Sequence, residues 1–294
     1  MSQELILSRD AYLLTMDLRL FFLVASAYGF SSIVFILYII TRTPGVGRAG
    51  KALMSGGVVL HVGLLAFRTF EGGRAPFQSL YESLSWFACS TSLTYLVVSR
   101  RFRETYPPAL FVTLLAAGAS FYALLARSPA ISPLSPPLQS RWFEWHVILA
   151  FLSYAVIAVS CAIEGTYLIV NPFLKRGRAE LFGLTASNTD DFRKTAYNLV
   201  LFGFPLLTFA LFSGAAWANE AWGRYWSWDP KETWSLITWS VFTMYLHSMS
   251  IKSWRGNTSS WLNIAGFVCM MMTFLGVNWL AKLLGIPGLH LYAV

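Results

Sequence analysis

Four histidines are the residues in this chain best suited to hold a metal: His61, His146, His247 and His290. Neutral imidazole is a good transition-metal ligand near pH 7. Apolar sequence surrounds His61 and His247, whereas His146 and His290 adjoin Pro-containing connecting sequence. An ionisable group inside a membrane-crossing segment is costly and marks a functional candidate. A neutral ring hydrogen-bonded to a neighbouring helix also fits either embedded histidine. Two embedded and two outer histidines together fit two bis-imidazole sites, and porphyrin iron takes such ligands. Zinc would need a third and fourth ligand, and none accompanies either pair. Cys89, Cys161 and Cys269 stand singly in apolar stretches and read as small buried hydrophobes. There is no Cys-x-x-Cys, which speaks against a thiol redox site, and no Cys-x-x-Cys-His for covalent haem.

Tryptophan is the second signal. Six of the 12 tryptophans fall between 217 and 239, in WANEAWGRYWSWDPKETWSLITW. Interface anchoring explains two or three, because an indole suits the membrane boundary. It does not explain Trp222, Trp226 and Trp228 crowded with Gly223 and Tyr225. A dense aromatic platform suits a flat conjugated ligand such as a porphyrin. Asp229, Pro230 and Glu232 form a helix-start signature, with Asp229 at the N-cap, so Asp229 reads as a cap or as a ligand contact. Arg224, Lys231 and Arg74 are candidates to pair with haem propionates, or to anchor at the interface.

The elements that must position these residues are membrane spans. Only 12% of the 294 residues are charged and mean hydropathy is +0.54, against roughly 25% charged in soluble domains. That composition excludes an ordinary water-soluble globule. Eight apolar stretches are predicted to cross, near 19–41, 52–69, 80–99, 107–126, 146–170, 196–217, 232–251 and 259–281. The fold class expected is all-α, a polytopic helical bundle forming one membrane domain over 1–294. The first stretch follows a polar, charged head and reads as a retained span rather than a signal peptide. Thirteen of the 22 cations, Arg193 among them, fall in one set of loops, so the +8 charge orients the bundle rather than marking a nucleic-acid binder. Both termini then lie outside. The outer segments are a loop near 69–79, a His-bearing loop 127–146, a tryptophan loop 217–231 and a tail 282–294.

With those residues placed, the sequence resembles the CcsA (ResC) family of system II cytochrome c biogenesis proteins. WGRYWSWDPKETW is similar to the WWD signature of that haem-handling superfamily. GGRAPFQSLYESLSW at 72–86, WHVILAFLSYA at 145–155, YLHSMS at 245–250 and GLHLYAV at 288–294 agree with it. The resemblance covers nearly the whole chain from about residue 50. It implies that His61 and His247 are an embedded pair receiving haem from the inner side. It implies that His146 and His290 hold haem iron (haem b) at the outer face, beside Trp222, Gly223, Trp226, Trp228 and Asp229. It further implies a cytochrome c synthase that presents haem for thioether attachment to the two Cys of an apocytochrome c Cys-x-x-Cys-His. Such a synthase acts with a CcsB (ResB)-like membrane partner, in a bacterial cytoplasmic or a thylakoid membrane, and needs no side-chain acid–base residue. Two other readings stand beside it: a b-type haem electron carrier, and a haem-delivery protein of the CcmC or CcmF type.

Overall fold

The computed structural model describes residues 3–101, 105–126, 129–131, 133 and 135–284. His290 and almost all of the expected outer tail lie outside the described residues. Nine α-helices are present among those described: α1 Gln3–Thr41, α2 Pro44–Gly72, α3 Leu80–Val98, α4 Pro107–Ala126, α5 Arg141–Lys175, α6 Thr189–Trp222, α7 Pro230–Ser248, α8 Asn257–Met271 and α9 Val277–Leu284. A π-helical turn, Met272–Gly276, joins α8 to α9, so the two make one rod over the predicted eighth span. Each of the eight apolar stretches thus became one helical rod. Six helical segments are long and apolar enough to cross a membrane. The remaining two, α3 and α7, have 19 residues each and carry more Ser, Thr, Tyr and Trp. The chain is an all-helical, polytopic membrane protein.

Local chemistry explains where the helices stop and start. Pro44 opens α2, and Gly73, at φ 62°, closes it. The Ser140 hydroxyl accepts a hydrogen bond from the Trp142 amide and caps α5. Gly223, at φ 74°, ends α6, its amide donating to the Asn219 carbonyl at 2.9 Å. That end point corrects the expected loop 217–231. WANEAW contains no breaker, so helix continues to Trp222, and only 223–229 is loop. The expected His loop 127–146 is shortened in the same way, because the Ser140 cap puts His146 on α5.

The helices cluster into two compact units. The first comprises residues 1–97 and 109–134. Its centre is Arg68, 2% exposed, which reaches Asp17 at 2.7 Å, Glu82 at 3.3 Å and the Pro129 carbonyl at 2.8 Å. The Tyr81 hydroxyl donates to the same Asp17 oxygen at 3.2 Å.

The second unit comprises residues 98–108 and 135–294. Its α5 and α6 lie side by side along a seam of small residues, held by repeated hydrogen bonds from α5 side chains to α6 carbonyls. Ser160 donates to Ala196 at 2.9 Å, and Ser153 donates to Gly203 at 2.9 Å. Near one end of this seam, Glu164 sits buried with its carboxylate accepting from Arg193, Tyr245 and Ser260 at 3.2, 3.0 and 2.6 Å. Arg193 also donates to the Gly256 carbonyl at 3.0 Å and stacks over the Tyr167 ring. This cluster ties α5, α6, α7 and α8 together. It also withdraws Arg193 from the set of loop cations to which its position in sequence assigned it.

Removing one partner from a buried ion pair typically costs about 3–5 kcal/mol, because the other charge is left unmet. Arg193→Met is therefore expected to lower the thermal midpoint of the detergent-solubilised protein sharply. Adding Glu164→Gln should recover part of that loss. A midpoint unchanged by Arg193→Met would refute the role given to this pair.

Candidate functional site

The site lies at the end of the second unit where α5 starts, α6 stops and α7 starts. Three contacts gather the start of α5 and the end of α6. The Trp217 indole N–H donates to the Pro137 carbonyl at 2.6 Å, and the Ser140 hydroxyl donates to the Glu220 carboxylate. The Phe143 and Trp217 rings meet with centroids 5.2 Å apart.

The 223–229 loop is organised by one carboxylate. Glu232 accepts from the Ser227 amide at 2.7 Å, the Ser227 hydroxyl at 3.3 Å and the Asp229 amide at 3.2 Å. Asp229 in turn accepts from the Lys231 amide at 2.9 Å. The capping box expected from Asp-Pro-Lys-Glu is therefore present, with Pro230 in the first turn of α7. Both carboxylates are buried, at 8% exposure, by the loop they hold. Trp228 adopts φ 59°, a left-handed conformation unusual for a residue with a Cβ, and is 68% exposed. Its ring meets Trp226 edge-on, at 87° and 5.8 Å.

His146 sits in the second turn of α5. Its Nδ1 lies 2.8 Å from the Ala210 carbonyl of α6. A carbonyl only accepts, so Nδ1 carries the proton and the basic lone pair of the ring is on Nε2. The imidazole is nearly parallel to the Trp217 indole, at 20° and 6.0 Å. Beside it opens a pocket that is partly open to the surroundings. Aromatic Tyr154, Trp217, Tyr225 and Trp226 line it, with Lys231, Glu232, Ser235 and Thr273 as its polar groups. Thr273 belongs to the π turn and meets the Thr238 hydroxyl at 3.2 Å, so this helical irregularity forms part of the wall. An apolar, aromatic concavity with a few convergent polar groups is the usual form of a small-molecule site. A metal-ligating histidine ordinarily donates its other nitrogen to a carbonyl or carboxylate, as His146 does here.

Of the tryptophan-region residues expected at the site, Trp226 lines the cavity directly. Trp222 is the last residue of α6 and packs edge-on against Trp217 at 5.2 Å. Gly223 shapes the turn, Asp229 caps α7, and Arg224 is exposed on the loop. Arg74 belongs to the first unit, where its guanidinium pairs with Glu82 at 3.3 Å. His61 is fully buried in that unit, its Nδ1 3.1 Å from the Tyr28 hydroxyl and its Nε2 2.8 Å from the Ser85 hydroxyl. His247 is exposed in the last turn of α7, about 26 Å along that helix from the tryptophan loop at 1.5 Å per residue. Sequence reasoning passed over Tyr154, Ala210, Gly214, Ser235 and Thr273, and counted Trp217 in the tryptophan cluster without placing it at the site. The seven-residue spacing of His146, Ser153 and Ser160 marks one face of α5, and the residues of other elements carry no such local signal.

Comparison with known proteins agrees with this architecture. Residues 77–284 match the family model described as cytochrome c assembly protein, a stretch that spans α3 to α9 and includes the cavity. Proteins named cytochrome c biogenesis protein CcsA match over most of their length. That of Pyropia yezoensis is 33% identical over 92% of this chain and 96% of its own. That of Crocosphaera subtropica is 33% identical over 86% and 89%. The chain belongs to the CcsA family. The fold is similar to that of a solved structure titled Cytochrome c Heme Lyase CcmF, which superposes with a TM-score of 0.66 at 17% identity. That match covers 90% of this chain and 47% of the other, so the chain spans about half the length of that protein.

The role of Glu232 is open to direct measurement. Leaving a buried amide unmet costs about 1–3 kcal/mol. Glu232→Ala should therefore speed proteolysis within 223–229 and shift tryptophan emission to longer wavelength. Glu232→Gln, which retains an acceptor, should fall between that variant and the parent. Equal cleavage rates in all three would rule out the carboxylate as the organiser of this loop.

Proposed function

We propose that this chain is the haem-presenting membrane component of a cytochrome c maturation system. Haem is its substrate, held at the outer end of the second unit for attachment to the two Cys of an apocytochrome c Cys-x-x-Cys-His. One observation carries the reading: an imidazole whose Nδ1 proton is engaged by the Ala210 carbonyl, set beside an aromatic-lined pocket. The names of the relatives, cytochrome c biogenesis and heme lyase, support the same direction.

The residues present fit haem chemically. His146 offers Nε2 to iron, Trp217 and Trp226 offer apolar faces to the ring, and Lys231 offers a cation to a carboxylate. Bound haem supplies two vinyl groups, across each of which a thiol S–H adds to form a thioether. The protein contributes orientation and exclusion of water, with no side-chain acid or base required. A CcsB-like partner, the outer placement of both termini and the source membrane are parts of the proposal that rest on the resemblance and on loop charge. So do the partnership of His146 with His290 and the assignment of His61 and His247 to an embedded haem station. At His61, a bound iron would have to displace the Tyr28 or the Ser85 hydroxyl.

His146→Ala should lower the haem that co-purifies with the protein and stop holocytochrome c formation in a reconstituted or cellular assay. Millimolar imidazole should restore part of both. Full haem loading together with normal holocytochrome yield in the variant would overturn the proposal.

A further inference from the structure

The hydrogen bond between His146 and Ala210 belongs to a regular series. Along α5, His146, Ser153 and Ser160 are spaced seven residues apart. Their acceptors on α6 are the carbonyls of Ala210, Gly203 and Ala196, also seven apart and running the opposite way. Seven residues are close to two helical turns, so all three donors lie on one face of α5 and all three acceptors on one face of α6. His146 thus occupies the rung that serine occupies at the other two levels. The same packing that joins the helices sets the height and tautomer of the imidazole.

An imidazole is far bulkier than a hydroxyl, and α6 must make room for it. Gly214 does so. It lies one turn beyond Ala210 on the same face, and a Cβ built there would sit 2.7 Å from His146 Nδ1 and 2.9 Å from Cε1. Both distances are well inside van der Waals contact, so any other residue at 214 would push the ring off the Ala210 carbonyl. Gly203, on the same seam, is tight for a different reason, since its Cβ would meet Val156 Cγ2 at 2.5 Å. The two glycines therefore separate ring placement from helix packing.

We propose that Gly214 and the Ala210 carbonyl are the positioning elements of the haem site: together they fix His146 as an Nε2 ligand facing the cavity. The proposal rests on the reading of that cavity as a haem site. Gly214 touches no haem atom in this account and acts only through His146.

The test compares Gly214→Ala, Gly203→Ala and His146→Ala in the full-length protein titrated with ferric haem b. Absorption spectra and thermal unfolding are read for each. Loss of an outer-shell partner typically weakens metal binding about 10- to 100-fold. Gly214→Ala should lose affinity in that range and lose the low-spin spectrum, and imidazole should restore the spectrum. Gly203→Ala should lower thermal stability while keeping the low-spin spectrum. A parent-like spectrum and affinity in Gly214→Ala, with both lost in His146→Ala, would overturn the positioning role and leave the haem reading standing. Equal spectral loss in Gly203→Ala and Gly214→Ala, without imidazole rescue, would assign the effect to packing and also overturn it. An unchanged spectrum and affinity in His146→Ala would instead remove the haem reading beneath it. Should Gly214→Ala fail to fold, ¹⁵N spectra of the parent, with His146 assigned by difference from His146→Ala, decide the tautomer. A protonated Nδ1 and bare Nε2 support the proposal, and the reverse overturns it.

Discussion

The contact on which the described site depends is the one between α5 and α6. A membrane gives its helices little hydrophobic reason to associate, because lipid tails are as apolar as the side chains they would replace. Close approach and interhelical hydrogen bonds have to supply the attraction, and small residues permit both. The α5–α6 seam has this form, with Ser153 and Ser160 donating to carbonyls exposed by Gly203 and Ala196. A slip of one residue between the helices would break every rung together. The register is therefore strongly specified, and His146, as the third donor, inherits its precision from a packing device.

Buried charge performs a second task, one cluster to each unit. Arg68 is enclosed with Asp17 and Glu82 in the first, and Arg193 with Glu164 in the second. A lone charge at membrane depth is expensive, so each of these groups is held where its partners are. Each cluster consequently locks particular helices to one another: α1, α2 and α3 in the first unit, and α5 to α8 in the second. Glu232 does comparable work on a smaller scale, folding a loop around one carboxylate at the start of α7. The strained Trp228 and the π turn at Met272–Gly276 sit next to that ordered frame. Local irregularity of this kind persists where surrounding structure over-determines it, and such places cluster at functional sites.

Much of the fold was legible in the sequence because apolar runs of about 20 residues have few alternatives in a bilayer. All eight predicted stretches became helical rods, and α4 begins and ends where its stretch does. The Asp229–Glu232 cap could be read from four consecutive residues, because capping is a local interaction. The tryptophan loop is shorter than expected for an equally local reason: the apolar stretch ends near 217, whereas helix continues until Gly223 supplies a left-handed residue. Arg193 illustrates a different failure. Counted as a loop cation, it is buried against Glu164, a partner 29 positions earlier that nothing in the sequence between them signals.

The sequence by itself determined the class of protein, its helices and the residue types able to meet a porphyrin. Composition, apolar length and motif chemistry act within short stretches of chain, so they survive without knowledge of neighbours. Only the tertiary structure decided which nitrogen of His146 carries the proton. Only tertiary structure, too, showed that Gly214 is the space the ring fills, and that the cavity wall is shared by α5, α6, α7 and the π turn. Those facts depend on the register of two antiparallel helices and on a close approach across 68 residues of chain. A seven-residue spacing of one histidine and two serines hinted at it; the carbonyls that complete each rung belong to the backbone, which no residue type reveals.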